Sequence, residues 1–170
     1  LLSSYSPEEL PEFFKSYGKT RPLPSPTMNF ASLGDVLLHR RTSRAFGAQP
    51  ISLEKVATLL HYTCQPAVAI RLHVRDALSK QELLPLTISA YTPFELYFAA
   101  NYVEGLESGI YHYDMENHGI SQLRVGDFGT QMQSVANGQV VAKASVVFLI
   151  TSCFDRYMWR YRHSRSMRNL

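Results

Sequence analysis

The spacing of apolar residues divides the chain into a helical first part and a strand-rich second part. Leu53, Val56, Leu59, Leu60 and Thr63 recur at the three- and four-residue steps that turn one helical face inward, so a helix is predicted from Ser52. Ser32-Leu33-Gly34-Asp35 precedes Val36, Leu37 and Leu38 and reads as a capping box, which starts another helix. An earlier one is expected from Ser6-Pro7-Glu8-Glu9, with Phe13, Phe14 and Tyr17 along one side. Arg21-Pro22-Leu23-Pro24-Ser25-Pro26 cannot continue a helix or enter a central strand, so it predicts a stiff extended arm on a neighbouring surface.

From Pro93 the pattern is that of strands. Phe94 to Ala100 is apolar enough to be buried, and Asn101 to Gly109 is a connecting loop. Ile110 to Asp114 and Ile120 to Arg124 form a hairpin about the turn Met115 to Gly119. Gly129 to Val135 reads as a short helix. Ser145 to Thr151 is continuous and β-branched, which predicts a strand buried on both faces. A last helix is expected from about Arg156, carrying Trp159 and Tyr161. Arg71, His73 and Arg75 alternate with Leu72 and Val74, which suits a half-exposed strand or a loop, with His73 facing solvent.

Composition narrows the classes. A chain of 170 residues, 45% hydrophobic, can build one domain with a real core. Its net charge of +3 calls for neither nucleic acid nor a membrane surface. Aromatics interleaved with the C-terminal arginines could stack on a nucleic-acid strand, but a single such stretch is thin support for that reading. Cys64 and Cys153 are too few for a disulfide framework or a zinc cage, and they suit a reducing, cytoplasmic compartment. The run Val146 to Ile150 is far short of a membrane span, and Glu8 and Glu9 argue against a signal peptide. The start at Leu1 and the stop inside an Arg-rich run read as a piece of a longer protein.

The chemistry-bearing stretch is Arg40-Arg41-Thr42-Ser43-Arg44-Ala45-Phe46, a helix end followed by an extended link. Three guanidiniums and two hydroxyls within Arg40 to Arg44 suit a phosphate or the polarised edge of a heterocycle.

Several stretches, in order, resemble the nitroreductase-like flavoproteins, and within them the SagB-type or azoline (thiazole-oxazole) dehydrogenases. These are Arg40 to Phe46, Ser89-Ala90-Tyr91-Thr92-Pro93-Phe94-Glu95-Leu96-Tyr97, the hairpin Val103 to Asp114, the strand Ser145 to Thr151, and Asp155 to Tyr161. The resemblance covers residues 30–168. It implies an α+β fold, an antiparallel-centred sheet flanked by helices, in a homodimer with FMN at its interface. The chain would divide into a helix and Pro-rich arm over residues 1–29 and a nitroreductase-like domain over 30–170, its C-terminal part missing.

By the same resemblance, Arg40, Arg41 and Thr42 contact the phosphate and ribityl chain of FMN, Arg44 the flavin edge, and Ser89 the ring face. Ile88 precedes Ser89 and no glycine follows it, which departs from the family's turn. Arg160 and Tyr161 stand at the catalytic pair, where azoline-oxidising members carry lysine and tyrosine. Arginine stays protonated and cannot act as a base; the resemblance implies that Tyr161 acts as acid or base on the substrate proton, with packing on the sheet as the alternative. The implied function is oxidation of an azoline ring in a modified peptide, or redox chemistry on another small organic substrate. The alternative is a dimerising or peptide-binding module that kept the fold and lost the redox site.

Overall fold

The structure, a computed structural model, describes residues 12–28, 31–80, 93–136 and 141–156. Its centre is a five-stranded sheet in the order β1-β6-β5-β3-β7, in which every neighbouring pair is antiparallel. The strands are β1 (Arg21–Pro22), β3 (Phe94–Ala100), β5 (Gly109–Asp114), β6 (Gly119–Val125) and β7 (Val146–Ser152). A small parallel pair, β2 (Ile51–Ser52) with β4 (Val103–Glu104), ties the start of the long helix to the loop after β3. The helices are α1 (Leu33–His39), α2 (Leu53–Ser79) and α3 (Gly129–Val135).

Strand register separates an apolar face from a polar one, because paired residues share a face. Phe98 pairs with Tyr111 and Tyr113 with Ile120, and these pack with Leu96 and Ala100 against Leu53, Val56, Ala57, Leu60 and Cys64 of α2. Tyr97 pairs with His112 and His112 with Ser121, which places the polar side chains on the opposite face.

The Pro-rich arm lies on the sheet as its spacing predicts. Arg21 and Pro22 form an edge strand on β6, where a missing amide hydrogen is tolerated, and the Leu23 amide donates to His118 O at 3.1 Å. Gly119 permits this approach, since a Cβ there would stand 2.3 Å from Thr20 Cγ2.

Four expectations are corrected. Residues 71–75 are helical, part of α2, which continues past Pro66 to Ser79. Arg71, Val74 and Ala77 are buried at three-residue steps, so the apparent alternation came from a helix sampled over five residues. His73 is exposed, on a helix rather than a strand, while Leu59 and Thr63 lie outside the buried stripe. Phe13, Phe14 and Tyr17 are not helical: Phe14 enters the core beside Arg71, and Tyr17 crosses to the polar face, so each is held by different neighbours. Residues 6–11, where that helix was to begin, lie outside the described residues. Among the described residues strand β7 pairs only with β3, so it stands at the sheet edge, with Ile150 71% exposed, rather than buried on both faces.

Candidate functional site

The arginine run sits where the sequence puts it. Ser32 caps α1, its hydroxyl oxygen accepting from the Asp35 amide at 3.1 Å, and the Arg40 amide closes the helix on Val36 O at 2.9 Å. Arg40 to Pro50 then run without regular structure until the chain is fastened again. The fastenings are Ala48 N to Lys143 O at 3.1 Å, Ser145 Oγ to Gln49 O at 2.5 Å, and Ile51 N to Tyr102 O at 3.0 Å. Arg40, Arg41, Thr42 and Arg44 are all exposed. None of the ion pairs among the described residues engages these arginines. Arg41 is folded back, donating from Nη1 to Leu38 O at 2.9 Å and to Arg40 O at 3.0 Å. Arg40, Arg44 and the Thr42 hydroxyl therefore remain as a donor set whose chemistry fits a phosphate. The neighbouring helix α1 buries nothing, with Leu33 73%, Leu37 65% and Leu38 71% exposed.

A second cluster lies at the start of β3, and the sequence reading did not find it. Glu95 is buried and receives three partners. Arg71 Nη1 from α2 stands 3.4 Å from Oε1, Arg156 Nη1 bonds the same oxygen, and His112 Nε2 from β5 stands 2.9 Å from Oε2. A carboxylate can only accept, so Nε2 carries the hydrogen. Arg71 Nη2 also donates to Phe94 O, and Arg156 Nε donates to Glu12 O at 2.6 Å. Buried charge is tolerated only when paired and hydrogen-bonded, which explains this density of contacts. One carboxylate faces two guanidiniums, and the cluster links the arm, α2, β5 and the segment after β7.

Beside it on the polar face, Tyr17 OH and Tyr97 OH are 2.8 Å apart, and both rings lie 4.9 Å from the His112 ring. Thr20 Oγ1 donates to Asp114 Oδ2 at 3.2 Å and shares a hydrogen bond with Ser121 Oγ at 3.3 Å.

The electrostatics follow from burial and partners. Burial raises the Glu95 pKa, but hydrogen bonds from His112 and Arg156 and the charges of both arginines outweigh it, leaving Glu95 below the usual carboxylate range. Arg71 is lowered by burial and then by Arg156, against the pull of Glu95. Tyr97 is pushed up to about 12 by burial and by its bond with Tyr17, and Lys15 opposes this. Burial also raises Cys64 to about 11, which makes it a poor nucleophile.

Ser89, Arg160 and Tyr161 lie outside the described residues. The structure thus places Arg40, Arg41, Thr42 and Arg44 in one exposed run and leaves the rest of the expected site undescribed. The signal for the missed cluster was Glu95, the one charged residue in an otherwise apolar strand, which cannot be buried without cations reaching it. Among the described residues no group of three or more metal-ligating side chains gathers, and no helix is long and apolar enough to cross a membrane.

No protein-family model matches the chain. It is 30% identical over 177 residues to the trifolitoxin operon protein TfxC of Rhizobium leguminosarum bv. trifolii, covering 99% of this chain and 49% of that protein. It is 25% identical over 182 residues to the trifolitoxin-processing protein TfxB of the same bacterium, covering 96% of this chain and 46% of the relative. A protein of Methanocaldococcus jannaschii named as a candidate nitroreductase is 26% identical over 140 residues, covering 82% and 66%. The chain thus spans about half the length of the two trifolitoxin proteins. Among solved structures, a candidate nitroreductase from Anabaena variabilis superposes with a TM-score of 0.62 at 21% identity, over 93% of this chain and 34% of that one. With its antiparallel sheet and flanking helices, the chain has the nitroreductase-like α+β fold.

Proposed function

We propose that the chain is part of an FMN-dependent oxidoreductase that modifies a peptide-derived substrate and works as a homodimer. One observation carries the reading: in a nitroreductase-like fold, the exposed donor set Arg40, Thr42 and Arg44 adjoins a helix whose apolar side chains are largely exposed. A seven-residue helix is marginal in water unless packing supports it. A second copy lying on Leu33, Val36, Leu37 and Leu38 would supply that packing and wall in the arginine run.

In this reading Arg40, Arg44 and Thr42 grip the phosphate and flavin edge of FMN. Arg41 joins them after releasing Leu38 O and Arg40 O, and Ser89 borders the ring. FMN, when bound, supplies the two-electron acceptor, and the protein supplies placement and charge. The cations near the ring favour its reduced, more negative form. The name of the trifolitoxin-processing relative supports a peptide as substrate, and dehydrogenation of an azoline ring in such a peptide is the specific reaction proposed. Tyr161 handles the carbon-bound proton of that ring, with Arg160 beside it as a fixed cation.

The test is titration of the purified protein with FMN, followed by flavin fluorescence. Saturable quenching is expected, weakened at least tenfold by Arg40→Gln combined with Arg44→Gln. A lack of quenching by the unaltered protein would overturn the reading. A second reading, a peptide-binding module without redox chemistry, is favoured by Arg41 being engaged with its own backbone. It predicts that peptide affinity survives the double replacement and that FMN never binds.

A further inference from the structure

The His112 ring is fully buried on the polar face of the sheet, and two tyrosines cover it. The ring centroids of Tyr97 and Tyr17 each lie 4.9 Å from its own, tilted by 55° and 66°. Tyr97 stands beside it on β3, whereas Tyr17 comes from the arm and is 40% exposed. Glu95 takes the hydrogen of Nε2, so Nδ1 is left as an acceptor, buried and without a donor. Buried polar atoms are normally paired, and the Tyr17 ring brings this one no partner.

Tyr17 is held more lightly than the residues on either side of it. Before it, Phe14 enters the core and Glu12 O accepts from Arg156 Nε at 2.6 Å. After it, Thr20 bonds Asp114 and Arg21 pairs with Ile120. Between these points no backbone amide of residues 15–19 finds a backbone acceptor among the described residues. The Tyr17 hydroxyl bonds Tyr97 OH at 2.8 Å, and the Lys15 ammonium stands 5.1 Å from its ring centroid. Gly18 has φ +85°, and a Cβ there would meet nothing within 4 Å, so the chain beside Tyr17 stands clear of its neighbours.

We infer that residues 15–19 are a lid, and that the place filled by the Tyr17 ring is a subsite for an indole or phenol side chain of a peptide. This goes beyond the flavin reading and does not depend on it. Tyr17 is the template for the occupant: a ring set edge-on to His112, with its hydroxyl on Tyr97 and a cation over its face. That cation favours an electron-rich ring. An incoming ring whose N–H or O–H reaches Nδ1 gains a hydrogen bond that Tyr17 does not make, and this difference in affinity is what displaces the lid.

The test is carbethoxylation by diethyl pyrocarbonate, which attacks an accessible neutral imidazole, followed at each histidine by mass spectrometry. Exposed His73 is the reference, and His118, bonded to Pro24 O and Tyr113 OH, reports unfolding. Tyr17→Ala is expected to speed modification of His112 at least tenfold, with His73 and His118 unchanged. N-acetyltryptophanamide is expected to slow it again, saturably. N-acetylphenylalaninamide, which lacks the ring donor, should need at least fivefold more, and N-acetylalaninamide should have no effect. Equal His112 rates in Tyr17→Ala and unaltered protein would overturn the lid, and equal protection by all three amides would overturn the subsite. If His118 accelerates as much as His112, Tyr17→Ala has unfolded and Tyr17→Phe decides, since it keeps the ring and loses only the bond to Tyr97. An acceleration of at least threefold at His112 alone is expected there, and none would overturn the lid. No flavin enters the experiment, so its failure leaves the FMN reading standing, and a failure to bind FMN leaves the lid to be judged by these rates.

Discussion

His112 and Glu95 project from paired strands and meet at 2.9 Å, Nε2 to Oε2, with 1% of each side chain exposed. With Arg71 and Arg156 on the other oxygen, Glu95 is an ionised carboxylate at the centre of a buried cluster. Removing one partner of a buried ion pair leaves the others uncompensated and costs about 3–5 kcal/mol. Glu95→Gln is expected to lower the unfolding free energy at neutral pH by about that amount, measured by urea denaturation.

The pH dependence has a defined sign. The folded pKa of Glu95 is lowered, so its contribution is fully present above the unfolded value of about 4.3 and is lost as pH falls through the folded one. Urea midpoints of the unaltered protein should therefore drop steeply below about pH 4. Those of Glu95→Gln should show a shallower acid limb. Parallel limbs would assign the acid sensitivity to other groups.

The register of α2 can be tested with adjacent leucines. Leu60 is fully buried and Leu59 is 51% exposed. Leu60→Ala is expected to cost about 2–5 kcal/mol through lost contacts and a cavity. Leu59→Ala should stay within about 0.5 kcal/mol, as surface changes do. Equal costs would mean that Leu59 is covered, and a second copy is then the first occupant to test.

The arm is latched at the hairpin tip. His118 donates from Nε2 to Pro24 O at 3.1 Å, which leaves Nδ1 to accept from Tyr113 OH at 2.8 Å. Tyr113→Phe removes that donor and should cost about 1–3 kcal/mol. It should also hasten hydrogen exchange at the Leu23 amide, which is bonded to His118 O. Unchanged exchange would show that β1 pairing holds the arm without the latch.

The uncovered helix leads to a prediction about assembly. If a second copy lies on α1, Leu37→Glu places a charge in an apolar contact and should shift the protein from dimer to monomer in light scattering at micromolar concentration. The melting temperature should also fall and lose its dependence on protein concentration, because a dimer contact made only by the folded chain stabilises it by mass action. A monomeric unaltered protein would contradict the homodimer.

Local signals made most of the fold legible. The capping serine of α1, the buried positions Leu53, Val56 and Leu60 of α2, the hairpin about Met115 to Gly119 and the short helix from Gly129 all lie where periodicity and turn chemistry put them. What failed was non-local. The strand Val146–Ser152 is apolar from Val146 to Ile150, but pattern cannot reveal that, among the described residues, β3 alone pairs with it. Arg71 and Arg156 carry the signature of surface residues, and their burial depends on Glu95, 24 and 61 positions away. The arginine run could be singled out because its residues are neighbours in sequence, whereas the Glu95 cluster is assembled only by folding.

A redox-active flavin acting on a peptide-derived substrate, as proposed above, gives the protein a spectral signature. The most direct test is the visible spectrum of the purified protein, recorded after incubation with FMN and removal of the excess, before and after anaerobic addition of an azoline-bearing peptide. Flavin bands that stay with the protein and bleach on adding the peptide are expected. A protein that remains colourless after the incubation would contradict that proposal.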